Sequence, residues 1–301
     1  MSLIVREDIR RALAIGAPVV ALESTVIAHG LPFPDNLETA RELEAIVEAN
    51  GATPATVGVV AGNPVIGLES AALERFARGD DVRKLSRRDL GAAIGLGLYG
   101  ATTVAATMAL THEAGIEVFA TGGIGGVHRG ARESWDVSAD LTELSRTPVL
   151  VVCAGAKAIL DLRATLEVLE TLGVPVVGFG CDEFPAFYSR TSGLPLSVRA
   201  DSPEEVARIW RAHQVHGGGS GMLLCVPPPE SAALPAADVE AAIARALDAA
   251  RDIHGAAVTP FLLSTLQRDT GGQTLRTNIA LLQNNARVAA TCAAALRSQE
   301  S

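Results

Sequence analysis

A chain of 301 residues, 48% of them hydrophobic, is long enough to bury a large core as one α/β domain or two smaller ones. The net charge of −9 and the lack of any basic run argue against a nucleic-acid partner, because phosphate backbones are held by clustered Lys and Arg. Four cysteines, Cys153, Cys181, Cys225 and Cys292, stand far apart with no CxxC pair; this offers neither a zinc site nor a disulfide framework and fits a reducing cytoplasm.

The first residues do not read as a signal peptide, since Arg6, Glu7, Asp8, Arg10 and Arg11 interrupt any apolar run. Pro18 to Leu22 reads as a buried strand whose carboxyl end delivers Glu23, Ser24 and Thr25, the end at which open α/β sheets bind ligands. Leu37, Ala40, Leu43, Ile46 and Val47 then recur at helical spacing up to Asn50-Gly51. Thr56 to Ala61 and Val65 to Leu68 flank Gly62-Asn63-Pro64 and predict a hairpin, followed by a short helix from Glu69 to Arg78. Ser86 and Asp89 form a loose capping box, which places Lys84 in a loop before a helix N-terminus, where an ammonium and backbone donors could hold an anion.

The uncharged stretch from Leu90 to Thr111 is long enough to span a bilayer, but its alanine, glycine and threonine content makes transfer weak. It reads instead as two packed internal helices broken near Gly100. Ile116 to Ala120 and Val149 to Cys153 read as strands feeding two polar loops, Thr121 to Gly130 and Ala154 to Lys157. Helix Ile159 to Leu172 and strand Val174 to Gly180 follow. Next come Phe184, Phe187 and Tyr188, a concentration of aromatics in a loop of a chain with seven Phe and two Tyr. A helix from Pro203 to His213, a strand from Met222 to Val226 and three helices, Asp238 to Ile253, Thr259 to Arg268 and Leu275 to Leu296, complete the alternation. Residues 1–301 thus read as one α/β catalytic domain whose helical C-terminal region, about 238–301, packs on the same core.

Of the 25 basic residues only Lys84 and Lys157 are lysines. Surface charge alone would accept arginine at both, whereas a lysine amine can lose its proton and attack a carbonyl to form an imine. The Thr121 to Gly130 loop fits neither the Walker pattern nor the dinucleotide fingerprint, so it is either a phosphate cradle or a set of tight-turn glycines. Asp136 and Asp140, with Ser138 between them, could hold a hard cation through oxygen, or Asp140 could simply begin a helix. Glu23, beside apolar sequence, could carry a raised pKa and donate a proton, or could serve as a cap or ion-pair partner. His112, His213, His216 and His254 read as solvated or structural. An amine, an acid, a phosphate site and a divalent metal describe sugar-phosphate chemistry without naming a substrate.

Several runs resemble one family. They are Ala21 to Gly30 (ALESTVIAHG), Lys84 to Leu90 (KLSRRDL), Phe119 to Gly130 (FATGGIGGVHRG), Cys153 to Lys157 (CAGAK), Phe184 to Tyr188 (FPAFY), Val258 to Leu263 (VTPFLL) and Asn278 to Leu281 (NIAL). The likeness is to the pseudouridine-5′-phosphate glycosidases, the group that includes indigoidine synthase A, and it extends over nearly the whole chain. It implies an α-β-α layered fold with a central, mostly parallel or mixed sheet. It also implies reversible cleavage of pseudouridine 5′-phosphate to uracil and ribose 5-phosphate by a cytoplasmic homotrimer that uses Mn²⁺ or another divalent metal, with neither nucleic acid nor membrane as a partner. By the resemblance, Lys157 is the nucleophile, Glu23 the proton donor and Asp136 the metal ligand. Lys84, Val104, Thr121, His128, Ser138, Ala139, Asp140 and Asn278 line the substrate.

Such chemistry needs a lysine in kind: a carbon–carbon glycosidic bond has no heteroatom leaving group to protonate, so the paired carboxylates of ordinary glycosidases would not suffice. Two positions depart from the family pattern. Ala158 follows the lysine where serine is common, and Val226-Pro227-Pro228-Pro229 replaces an Asn-Pro-Ile-Pro run. The same residues would also serve an aldolase-like enzyme, a glycosidase for another C-nucleotide, or a non-catalytic ribose-phosphate sensor.

Overall fold

Short β-branched and apolar runs bounded by turn residues form the strands, and amphipathic runs with caps form the helices. The computed structural model describes residues 2–250, 253 and 258–298, so His254 lies outside the described residues. The strands are β1 (Ile4–Val5), β2 (Val19–Leu22), β3 (Thr53–Val60), β4 (Asn63–Ile66), β5 (Val82–Leu85), β6 (Tyr99–Thr102), β7 (Val118–Ala120), β8 (Leu150–Cys153), β9 (Val176–Phe179), β10 (Val198–Ala200) and β11 (Met222–Cys225). The helices are α1 (Glu7–Ala14), α2 (Asp35–Ala49), α3 (Ser70–Arg78), α4 (Leu90–Gly95), α5 (Val104–Glu113), α6 (Ala131–Ser134), α7 (Ala139–Leu144), α8 (Leu162–Thr171), α9 (Pro203–His216), α10 (Ala236–Ala249), α11 (Val258–Asp269) and α12 (Gln273–Ser298).

All the strands join one sheet in the order β1-β4-β3-β2-β7-β8-β11-β9-β10, with β6 pairing β3 and β5. β2, β7, β8 and β11 are mutually parallel neighbours, while β4 and β6 run antiparallel to β3. This is the α/β fold with a mostly parallel sheet that the alternation predicts. Every residue of β2, β8 and β11 is buried, which explains their continuous apolar composition: both faces of these central strands are covered. α12 lies along β2, β7 and β8 and touches α2 and α9, while α5 packs against β2 and β3. Leu281, Leu282 and Ala286 of α12 share a core cluster with Val20, Phe119 and Val151. The C-terminal helices therefore pack on the main core.

Two local expectations need correction. Residues 90–111 do hold two helices, α4 and α5, but the break near Gly100 is itself a strand: β6 lies between them, with Gly100 opposite both Val59 and Arg83. A Cβ on Gly100 would run into the Leu85 side chain, so this glycine permits close strand packing and does not break a helix. Lys84, expected in a loop, sits within β5, paired with Ala101. The capping signal after it is genuine, since the Ser86 N–H donates to Asp89 Oδ2 at 2.9 Å. The predicted hairpin forms, with β3 and β4 joined through Ala61-Gly62. His213 Nε2 sits 3.0 Å from Ser220 Oγ, a structural role. No helix among the described residues is long and apolar enough to cross a membrane.

Candidate active site

The parallel register of β2, β7 and β8 decides where the polar groups meet. Leu22 pairs with Ala120, and Ala120 with Val152, so the residues emerging from these strands leave the sheet at one level. Glu23 follows β2, Thr121 follows β7 and the Ala154–Lys157 loop follows β8, all at carboxyl ends. The two loops continue the strand pairing. Thr121 N–H donates to Val152 O at 3.0 Å, Ala154 N–H to Gly122 O at 2.9 Å, and Lys157 N–H to Ile124 O at 3.1 Å.

Glu23, Lys84, Lys157 and Asn278 line one cavity of about 50 Å³, together with Thr25, Val26, His29, Gly122, Gly123, Phe187 and Leu263. A wider chamber of about 470 Å³ adjoins it, walled by the turn after β2 and by α11 and α12. His29, Gly30, Leu263 and Asn278 line both spaces.

In so small a cavity Glu23 is poorly solvated, although part of it remains accessible. Burial pushes its pKa up; Lys157, a hydrogen bond from Thr121 and Lys84 pull it down, and Asp140 adds to the rise. The net effect is a carboxylic acid whose pKa lies above its ordinary value. Burial and then the neighbouring Lys157 depress the pKa of Lys84, opposed by Glu23 and Asp140. Lys84 nevertheless remains exposed over much of its surface.

Thr121 is 1% exposed and its hydroxyl donates to Glu23, so it acts on the site by holding the acid. Its own carbonyl accepts a hydrogen bond from Asn285 Nδ2 of α12 at 2.8 Å. Thr121→Val is expected to lower kcat by roughly two- to tenfold, from the ~0.5–1.5 kcal/mol of a hydrogen bond to an uncharged group. Because that bond lowers the Glu23 pKa, its loss moves the alkaline limb of the pH–rate profile to higher pH. An unmoved limb would refute the assignment.

Asp140 sits behind the glycine loop. Its Oδ2 accepts from Gly125 N–H at 2.8 Å and its Oδ1 from Ala105 N–H at 3.0 Å, tying the loop to the first turn of α5. Ser138 caps α7 by accepting from Asp140 N–H at 3.2 Å. Val104 is 1% exposed, so main-chain groups are its means of reaching a ligand. Ala139, the first residue of α7, likewise has only its backbone to offer as a polar group. Within the glycine loop the N–H groups of Thr121, Ile124, Gly125, Val127 and His128 are already bonded to protein acceptors. The loop is therefore held rigid and is not an open phosphate cradle along its whole length.

Asp136 has a side chain 43% exposed, with His128 Nδ1 3.8 Å from its Oδ2. No group of three His, Cys, Asp or Glu side chains converges among the described residues. One accessible carboxylate beside an imidazole suits a hard cation that keeps most of its water, and does not form an all-protein cage.

The sequence reading missed Phe187, His29 and Leu263 as cavity residues. Burial and then Lys84 depress the pKa of His29, and its Nε2 is buried with no partner. Phe187 has φ +62°, in the left-handed region that costs a bulky side chain about 1–3 kcal/mol and is found at functional sites. Val226 to Pro229, the departing run, follows β11; Val226 N–H donates to Cys153 O at 2.8 Å and Arg190 Nη1 to Pro228 O at 2.7 Å. Ala158 is buried.

An amine and a carboxylic acid of raised pKa sharing a cavity at the carboxyl ends of parallel strands define an α/β enzyme. The sequence model described as "Indigoidine synthase A like protein" matches residues 8–295, and the chain belongs to that family. A pseudouridine-5′-phosphate glycosidase of Herpetosiphon aurantiacus is 61% identical over 98% of this chain and 98% of its own length. One from Chloroflexus aurantiacus is 62% identical over 96% and 97%. Among solved structures, the prealnumycin C-glycosynthase AlnA in complex with ribulose 5-phosphate superposes with a TM-score of 0.92. It is 42% identical and covers 100% of this chain and 99% of its own. An indigoidine synthase A-like protein from Thermotoga maritima gives 0.89 at 37% identity, covering 98% and 97%.

Proposed function

We propose that the chain is a pseudouridine-5′-phosphate glycosidase, reversibly converting pseudouridine 5′-phosphate and water to uracil and ribose 5-phosphate. The observation that carries this reading is the shared cavity of Lys157 and Glu23, in a chain 61% identical to a curated relative of that name. The ribose ring opens as the C1′–O4′ bond breaks, its electron pair staying on O4′, which takes up a proton, while the free amine of Lys157 bonds C1′ and gives up one. Glu23 passes its proton to the uracil carbon, the electron pair of the C1′–C5 bond returns to the uracil ring, and the nitrogen lone pair forms the imine. Water then adds to the imine and releases ribose 5-phosphate as its aldehyde, restoring the amine.

Lys84 supplies positive charge for the phosphate, with His128, Ser138 and the main chain at Val104 and Ala139 nearby, and Asp140 holding the loop against α5. Asn278 faces the uracil side. Asp136 would hold Mn²⁺ or a similar cation, which when bound supplies charge neutralisation near the phosphate. Residues 1–301 act as one catalytic domain, a reading supported by the single sheet and by a core cluster that extends into α12. Cytoplasmic residence fits four cysteines without a disulfide, and the homotrimer follows the family resemblance.

Incubation with pseudouridine 5′-phosphate and Mn²⁺ should release uracil, followed by ultraviolet absorbance, and chelation should suppress the release. No uracil release and no synthesis from uracil and ribose 5-phosphate would refute the reading. A second reading, carbon–carbon bond formation with a larger aglycone, draws on the 470 Å³ chamber and on the glycosynthase neighbour. It would be favoured by synthesis from an aromatic aglycone where uracil gives none.

A further inference from the structure

The aromatic loop Phe184 to Tyr188 has no part in the proton and imine steps, yet it reaches the same cavity. Phe187 is 3% exposed and lines that cavity beside Lys157, Glu23 and Gly123. Three features fix the residue. The Phe187 N–H donates to Ala154 O at 3.2 Å, on the segment that leads to Lys157. Tyr188 meets the ring edge-on, with centroids 4.7 Å apart and planes at 77°. Gly123 lies so close beneath that a Cβ there would come within 2.7 Å of the Phe187 Cδ2 and Cε2 atoms.

The chain thus accepts a left-handed φ at a bulky residue and keeps a bare glycine opposite, both to seat one phenyl ring in a cavity whose other apolar side chains are Val26 and Leu263. A backbone outlier retained at a site points to a task for the side chain. Phosphate, ribose hydroxyls and the C1′ adduct are polar and have no use for an aromatic surface, whereas a planar conjugated base has apolar faces.

Resting on the reading above, we infer that Phe187 is the aglycone-packing and specificity-determining residue of this cavity, its ring bearing on the departing planar heterocycle. The cavity then selects for flat, conjugated aglycones, and Phe187 acts on the uracil side of the reaction only. In the synthesis direction, Phe187→Leu should raise the KM for uracil about tenfold, as loss of base–aromatic packing does elsewhere. The KM for ribose 5-phosphate and the yield of borohydride-trapped Lys157 adduct with ribose 5-phosphate alone should stay within about twofold.

Phe187→Tyr should restore the uracil KM, and thermal melting of both variants tests whether they fold. Unchanged uracil KM in Phe187→Leu, or an equal rise in both KM values with loss of the trapped adduct, would overturn the inference. So would a Phe187→Tyr variant that melts like the parent chain but fails to recover uracil. If the parent chain itself neither makes nor cleaves pseudouridine 5′-phosphate, the substrate reading fails first and takes the inference with it. A working parent with an indifferent variant sinks the inference alone.

Discussion

Lys157→Ala and Lys157→Arg are both expected to lose activity by on the order of 10⁴-fold or more, as removal of a covalent nucleophile does. The comparison between them is the informative part. Arginine preserves the positive charge beside Glu23 and Lys84, so a purely electrostatic role for position 157 would leave Lys157→Arg substantially active. A covalent role leaves both variants dead, because a guanidinium that holds its proton at any working pH cannot add to C1′. Borohydride reduction with ribose 5-phosphate, read by mass spectrometry, should label Lys157 in the parent chain and nothing in either variant. A labelled Lys84 in Lys157→Ala would mean that the two lysines share the chemistry. Full activity in Lys157→Arg would end the imine mechanism.

Glu23→Gln is expected to lower kcat by about 10²–10⁴-fold, the range for a positioned general acid. The same substitution should raise stability at neutral pH. The folded-state pKa of Glu23 lies above its ordinary value because of burial, so folding favours the protonated form. The stability that Glu23 contributes is therefore fully present below the unfolded carboxylate pKa and is lost as pH rises through the folded pKa. Glutamine keeps an oxygen for the Thr121 hydroxyl and carries no charge to desolvate. Thermal midpoints of the two proteins should converge in acid and separate at neutral pH, with the variant higher. A variant that melts lower at neutral pH would mean that Glu23 is held as a carboxylate in an ion pair and is not the acid.

Lys157 and Glu23 were legible as candidates because local signals marked them: one of only two lysines in an arginine-rich chain, and a carboxylate at the end of an apolar strand, which the fold brings to one cavity. The three strands that bring them together were legible too, since β2, β7 and β8 are buried on both faces and show it as unbroken apolar runs. β6 was not. Tyr99-Gly100-Ala101-Thr102 is short and carries no run of large apolar residues to mark a buried strand, and only pairing with the distant β3 and β5 decides the matter. Lys84 was misplaced for the same reason, because β5 exists through that pairing.

Within the site, proximity in sequence misled. Asp136 and Asp140 stand four residues apart and looked like a pair, but Asp140 turns inward to the amides of Gly125 and Ala105 while Asp136 stays open to solvent. Nothing in the order of residues reveals which carboxylate meets a backbone amide. Phe187 was noticed as part of an aromatic loop, but its place against Gly123 depends on how a segment thirty residues beyond Lys157 folds back.

The placement of α12 bears on how the protein comes to be active. Asn278, which lines the cavity, and Asn285, which holds the carbonyl of Thr121, both belong to this helix. During synthesis the lysine and the acid leave the ribosome long before the residues that wall and steady their cavity. Assembly of the cavity therefore waits until α12 has been made, and a chain truncated before it, though it carries both Lys157 and Glu23, lacks the enclosure that would bring a sugar phosphate between them.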